Sequence, residues 1–340
     1  MRDLLVVGGG PVGLAAAIDA RLRGLTVAVI EPRGGDAIDK ACGEGLMPGA
    51  VPALARLGVF PAGQPLRGVR YSNGSRSVDH RFRAGNGMGV RRTELSAVLA
   101  ERALELGVER VTGRVDTVEQ TDSAVTAGGV TARYLLGADG LHSVVRRLTG
   151  LDPAPTTGTR RYGVRRHYAI APWSDLIEVH WTPEVEAYVT PVSVDTVGVA
   201  MLGERGISFE AQLARIPELA ARVAGAATAS TLRGAGPFHQ RVTRRTAGRI
   251  MLVGDAAGYV DAITGEGIRV GLAQAEAAVD CVVGSRPGDY EGEWRRRTRE
   301  SRSLTTALVA AARSPLRDRI VPLAVAAPRL FGAVVERLAR

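Results

Sequence analysis

Apolar residues are spaced in three ways along this chain. Short unbroken runs at residues 4–7 (LLVV), 27–30 (VAVI) and 250–253 (IMLV) predict strands covered on both faces, as in a parallel sheet. Residues 108–118, 124–126 and 130–136 add further strands, the last ending at Gly137. Helical spacing follows the first run, at 14–18, and returns at 92–106, where Leu95, Leu99, Ala103 and Leu106 share a face and Thr93 stands as the cap. Strict alternation sets in between 160 and 202 and predicts an antiparallel sheet buried on one face. A hairpin is expected at 69–82 around Asn73-Gly74. Residues 50–57 and 209–224 read as helices, and the segment from Tyr290 as helices broken at Pro315, Pro322 and Pro328. Strands alternating with helices, then an antiparallel block, predict an α/β protein with an inserted layer.

The turn after the first run carries the chemistry. Gly8, Gly10 and Gly13 form G-x-G-x-x-G, followed at once by the helix. Gly8 allows the tight turn, Gly10 lets backbone approach a pyrophosphate, and Gly13 lets helix and strand pack closely. Unpaired N–H groups at the helix start then face the phosphates. The second run ends in Glu31, placed to accept hydrogen bonds from a ribose, followed by Pro32, Arg33 and a glycine-rich loop. Strand, glycines, helix, second strand and acid in this order predict a dinucleotide site.

Composition narrows the rest. With 45% hydrophobic residues the chain can bury a sizeable core. Met1 stands close to the first strand, so no signal or transit peptide is expected. The apolar run at 320–327 is too short to span a bilayer. Two cysteines, Cys42 and Cys281, suit a reducing cytoplasm. Five histidines in scattered positions give no metal cluster. The net charge of +9 is concentrated at 286–340, where twelve arginines face six acids. A solvated basic face on helices is preferred there to a membrane contact, and no aromatic-interleaved patch points to nucleic acid. Lys40 is the one lysine in the chain.

Three stretches together resemble the FAD-dependent oxidoreductases of the para-hydroxybenzoate hydroxylase superfold, in the family order from residue 4 to about residue 278. GGGPVG (Gly8, Gly10, Val12, Gly13) with Glu31 is similar to that family's ADP-binding fingerprint, and Gly137-Ala138-Asp139-Gly140 with Ser143 and Arg146 to its Asp-Gly motif. Gly254-Asp255 is similar to its Gly-Asp motif, in which Asp255 holds the ribityl chain, and Arg92 to the arginine that reaches the phosphates. Gly265, Gly267 and Ile268 open a further helix, and the loop Cys42-Gly43-Glu44-Gly45 corresponds to the segment beside the isoalloxazine ring. Where many aromatic hydroxylases carry His and Pro after Gly-Asp-Ala-Ala, this chain has Gly258 and Ala262. KACGEGL and GDAAGYVDAITGEGI look closer to the branch with geranylgeranyl-reductase-like proteins, which includes oxygen-inserting and alkene-reducing enzymes.

The resemblance implies a Rossmann-like FAD-binding fold (1–158 and 235–285), an inserted antiparallel β-sheet substrate layer (159–234) and C-terminal helices (286–340). It implies an FAD-dependent monooxygenase using NADPH or NADH and O2 on a lipophilic or aromatic small molecule, cytoplasmic and in specialised metabolism. The alternatives are an alkene reductase and a flavin-binding protein without turnover. Cys42 is a proton-donating thiol or a small packing residue. Glu44 is an acid/base or a solvent-facing carboxylate. His167, His180 and Tyr188, in the alternating strands, are candidates to line the substrate pocket, with Tyr188 also a catalytic candidate, against structural roles.

Overall fold

The computed structural model describes residues 1–34, 38–152 and 160–340. Gly35, Asp36 and Ala37 of the loop after Glu31, and the 158/159 division, lie outside them. Arg2–Val7 is the centre of a sheet whose parallel strands run in the order 109–112, 27–31, 2–7, 130–137, 250–252. Leu4, Leu5 and Val6 are fully buried there, because helices cover a sheet of this kind on its faces. Chain order reverses at strand 2–7: strands 27–31 and 109–112 lie on one side, strands 130–137 and 250–252 on the other. Such a reversal opens a crevice at the carboxyl ends of the strands. Helix Pro11–Leu22 packs there against Arg92–Glu105 and Gly267–Val283.

The second sheet has seven strands, in the order 233–235, 161–169, 196–204, 186–193, 176–181, 68–72, 77–81. The hairpin at 68–81 therefore pairs onto it, with Gly68–Ser72 parallel to Leu176–Trp181. Three of its strands depart from the expectation of one buried face: Leu176–Trp181, Glu186–Ser193 and Thr196–Glu204 are buried almost throughout. Both faces are covered. Ile177, Val179, Trp181, Tyr188 and Leu202 pack toward the C-terminal helices, with Phe331 and Val335. Ala187, Val189, Val199 and Met201 pack on Phe209, Leu219 and Val223 of the two short helices beyond.

Local corrections have local causes. Residues 209–224 form two helices, Phe209–Ala214 and Pro217–Val223, because Pro217 can start a helix and cannot continue one. Pro322 does not break its segment: it is the third residue of Ile320–Ala326, where an N–H has no intrahelical partner to lose. Thr93 is not a cap. The helix starts at Arg92 and has no side-chain cap from its own N-terminal residue. Its first N–H is taken instead by the carboxylate of distant Glu44, at 2.9 Å.

A buried ionic cluster fastens the C-terminal segment to the second sheet. Arg161 bridges Glu186 and Asp261, the latter at 3.0 Å, while Arg317 reaches Glu186 at 2.5 Å. Glu186 is fully buried. Removing one member of such a cluster typically costs about 3–5 kcal/mol, since its partner is left charged and dry. Burial pushes the Asp261 carboxyl up to about 6, with Arg161 opposing and nearby Glu186 adding to the rise.

The sign for stability follows from that rise. Between about pH 4 and pH 6 the folded chain holds a proton on Asp261 that the unfolded chain has released, so stability falls as pH rises through this window. The full difference is roughly 3 kcal/mol above pH 6. Urea unfolding of wild type and Asp261→Asn across this range should show wild type losing stability relative to the variant as pH rises. A constant difference would reject the assignment.

Candidate functional site

At the carboxyl ends of the parallel strands a cavity of about 810 Å³ runs from Glu31 and Arg33, past Gly8, Gly10 and Arg92, to Tyr71 and Val335 on the second sheet and last helix. Its near end is shaped by backbone. Gly8 has φ +109°, and a Cβ there would lie 2.5 Å from the Ala138 carbonyl oxygen. A Cβ on Gly13 would lie 2.0 Å from the Gly8 carbonyl oxygen, so helix and strand touch through glycine alone. Gly10 differs: around its missing Cβ the nearest atom is the Arg92 guanidinium, at 4.0 Å. Helix Pro11–Leu22 starts there with no side-chain cap. Its N–H groups are left to a ligand.

Glu31 is buried and already accepts from Gly9 N–H at 2.9 Å, which fixes its carboxylate at the lip of the turn. Arg33 lies on the cavity wall, whereas Pro32 is on the exposed turn and Gly13 behind the wall. The Asp-Gly stretch acts mainly as a brace. Asp139 accepts from Ser143 Oγ and from the N–H groups of Val144 and Val145, so its carboxylate caps helix Val144–Leu148 while its backbone lines the cavity. Arg146 is buried and donates to the Leu141 and Ala256 carbonyls, tying this stretch to Gly254–Ala257. Asp255 lies on the wall, 3.3 Å from Lys40 Nζ. The Gly254 N–H is held by buried Gln274. Gly265, Gly267 and Ile268 close this side.

The loop 42–45 crosses the middle. Glu44 is buried, so the solvent-facing alternative fails, and its φ of +60° is a conformation that costs a non-glycine residue about 1–3 kcal/mol. Both carboxylate oxygens are engaged: Oε1 by the Arg92 N–H, Oε2 by His167 Nε2 at 2.5 Å. Arg165, which can only donate, lies 3.0 Å from His167 Nδ1. That makes Nδ1 the acceptor and puts the imidazole proton on Nε2, facing Glu44. Arg165 is itself buried and paired with Asp39. Glu44 is therefore a positioning residue. Cys42 Sγ accepts from the Glu44 N–H at 3.4 Å and lies on the cavity wall.

The far half of the cavity is apolar and aromatic, with Val69, Tyr71, Val179, Leu202 and Phe238 on its wall. Tyr188 is there too, but its hydroxyl donates to the Ile263 carbonyl at 2.7 Å, and burial holds its pKa well above the ordinary value. The two histidine expectations are corrected. His167 stands behind Glu44, off the wall. His180 points to the opposite face of the sheet, in a small cleft with Glu178, Glu218 and Arg70, because Ile177 and Val179 face the cavity and strand parity turns 178 and 180 away. Arg165, Asp39, Phe238 and the place of the last helix on the cavity wall escaped the sequence reading. Parity held a signal for one of them, since Arg161, Arg165 and His167 share a strand face. Among the described residues no His, Cys, Asp and Glu cluster is placed to hold a metal ion.

The glycine turn, the uncapped helix start and the fixed acid define a dinucleotide-binding α/β protein. The FAD binding domain family matches residues 1–280, and the chain belongs to that family. It is 26% identical over 335 residues to a digeranylgeranylglycerophospholipid reductase of Methanothrix thermoacetophila, covering 86% of this chain and 83% of that protein. It is 27% identical over 328 residues to a para-nitrophenol 4-monooxygenase of a Pseudomonas species, covering 83% of this chain and 78% of the other. Its fold matches a flavoprotein/dehydrogenase from Cytophaga hutchinsonii with a TM-score of 0.87 at 20% identity, covering 99% and 92% of the two chains.

The residues present fit FAD. Arg92 Nε is buried without a hydrogen-bond partner among the described residues, beside the open space at Gly10, as a phosphate-binding guanidinium requires. Glu31 would hold the adenosine ribose, the helix start and Arg92 the pyrophosphate, Asp255 the ribityl chain. Asp255→Ala should weaken FAD retention about ten- to hundredfold, the worth of a charge-assisted hydrogen bond of about 1.5–3 kcal/mol. Flavin absorbance after gel filtration reads this. Undiminished retention would remove Asp255 from the site, and wild-type protein that cannot be loaded with FAD would overturn the assignment.

Proposed function

We propose that the chain is an FAD-dependent monooxygenase of the cytoplasm that takes reducing equivalents from NADPH or NADH and uses O2 to hydroxylate or epoxidise a lipophilic or aromatic small molecule. The observation that carries this reading is the far half of the cavity: apolar walls facing a flavin-binding half across one loop. Bound FAD supplies the redox chemistry, and the chain's own residues bind, orient and exclude water. Val335 and Leu338 of the last helix complete that dry wall. The uncapped start of helix Gly267–Val283, on the cavity wall, would offer N–H groups to stabilise negative charge on bound FAD.

The apolar half of the wall has little to take a proton, and His142, on the same cavity, is exposed with its Nε2 on the Gly236 carbonyl at 3.1 Å. Tyr71, Tyr188 and Tyr259 are buried phenols whose pKa values burial raises, so they remain protonated at neutral pH. Glu44 is committed to His167 and Arg92. This supports a substrate that is already electron-rich and needs no base.

One observation favours a second reading, alkene reduction. Cys42 is a thiol on the wall whose S–H is left to donate, and a reduced alkene carbon needs a proton. Product formation by wild type and Cys42→Ala, with and without oxygen, separates the two. For the monooxygenase, NAD(P)H-dependent O2 uptake should survive the mutation within a few-fold, with losses appearing as hydrogen peroxide from a looser pocket. Turnover that persists without oxygen and falls about 10²–10⁴-fold in the variant, the usual worth of a positioned general acid, would replace it with the reductase.

A further inference from the structure

The segment after the long helix Tyr290–Ala312 has two unlike faces. Inward, Phe331, Val335 and Leu338 are buried, and Val335 and Leu338 form part of the cavity wall. The helix Pro328–Ala339 is pinned there by Glu336, which binds His80 at 2.8 Å and the Arg83 N–H, and by the Gly49 N–H on the Ala339 carbonyl. Outward, Leu316, Leu323 and Leu330 are exposed, from 56% to 66%, while Val325, at 37%, sits on the other side of helix Ile320–Ala326 from Leu323. Four of the twelve exposed large apolar side chains among the described residues thus fall between 316 and 330, while the others are scattered singly from Met1 to Val283. Isolated exposed leucines need no explanation; a cluster does.

Charge says what covers it. Arg313, Arg319, Arg329, Arg337 and Arg340 are exposed in this segment, against Asp318 as its exposed acid. Among the described residues Arg313, Arg319, Arg329 and Arg340 make no ion pair, and Arg337 meets Glu300 at 3.5 Å. Apolar side chains ringed by unpaired guanidinium groups match a layer with hydrocarbon below and phosphate above. A second copy of the chain fits worse, because a two-fold contact would set these arginines against one another.

We propose that this outer face docks on the surface of a bilayer containing anionic phospholipid, with the leucines in the headgroup layer and the arginines on lipid phosphates. The sequence alone pointed to a solvated basic face. The placement of the leucines is what changes the reading. Because the inner side of the same helix closes the cavity, a docked enzyme would meet a lipophilic substrate at the bilayer. That last step rests on the proposed function, whereas the docking does not.

The test is co-sedimentation of the FAD-loaded chain with vesicles of phosphatidylcholine alone and of phosphatidylcholine mixed with phosphatidylglycerol. Binding is expected to the mixed vesicles and to weaken as salt is raised. Each of Arg319→Gln and Arg329→Gln should lower partitioning about fivefold, and the pair Leu323→Ser with Leu330→Ser about tenfold or more. All these positions are exposed, so flavin absorbance and Tm should stay at wild-type values. Absence of binding, equal binding to both vesicle types, or binding untouched by the variants would overturn the proposal. A lipid-free dimer that the leucine pair converts to monomer would assign the face to a second copy instead. Failure of substrate-dependent oxygen uptake alongside intact vesicle binding would remove the proposed reaction and leave the docking standing.

Discussion

One buried carboxylate joins the two halves of this molecule. Glu44 accepts the first N–H of the helix that begins at Arg92 and a proton-bearing nitrogen of His167, a residue of the second sheet. The loop that carries it crosses the cavity between the glycine turn and the apolar wall. Moving Glu44 would move the helix start that aims Arg92 at Gly10, and the strand that carries His167 and Arg165. The left-handed backbone at Glu44 is tolerated because the helix start and the His167 strand both hold its carboxylate. Hydrogen bonds to this one side chain thus tie the cofactor-binding half to the substrate half, with Thr190 adding a bond to the Gly43 carbonyl at 2.8 Å.

Both junctions of the second sheet are made with buried charge, and on the same strand. Arg161 and Arg165 stand four residues apart on the buried side of Arg161–Ala169; the first is satisfied by Glu186 and Asp261, the second by Asp39. Burying these groups contributes little net stability compared with apolar packing, but it penalises any arrangement that leaves one unpaired. Two such pairings along one strand specify how the sheet sits over the flavin cleft and under the C-terminal helices. Apolar contacts are far more tolerant of sliding.

The parallel core was legible because its signals are local. Residues 4–31 carry strand, glycines, helix and acid within one βαβ unit, and each glycine answers to a contact of the turn itself. The second sheet was legible as strands, but its expected single buried face proved to be two. Its alternation of larger and smaller residues says nothing about a second cover, and that cover comes from segments far along the chain, 209–223 and 320–339. His180 was misplaced for the same reason: alternation gives two faces without saying which one meets the cavity. Thr93 illustrates the opposite failure, a good local cap overridden by Glu44, nearly fifty residues away. Long-range partners of Arg165 and Asp39 leave no mark in sequence spacing, although two arginines and a histidine on one buried strand face demand partners.

What the site can do chemically follows from which groups remain uncommitted. Glu44 and His167 are occupied with each other, Asp139 with a helix start, Tyr188 with a carbonyl. Each is spent on holding geometry. Cys42 and Lys40 keep polar atoms toward the cavity, the lysine in a partly exposed ion pair with Asp255 whose net worth is small and which a ribityl hydroxyl could replace. The thiol and the dry wall thus pull toward different reactions on one scaffold: a proton delivered to carbon in the first case, water kept out in the second. Scaffolds of this family host both, since reaction class is decided by a few wall residues and leaves the fold untouched. In this chain the apolar wall is extensive and built from at least five separate segments, whereas the thiol stands alone and its sulfur already accepts the Glu44 N–H. That imbalance is the physical ground for placing oxygenation ahead of reduction.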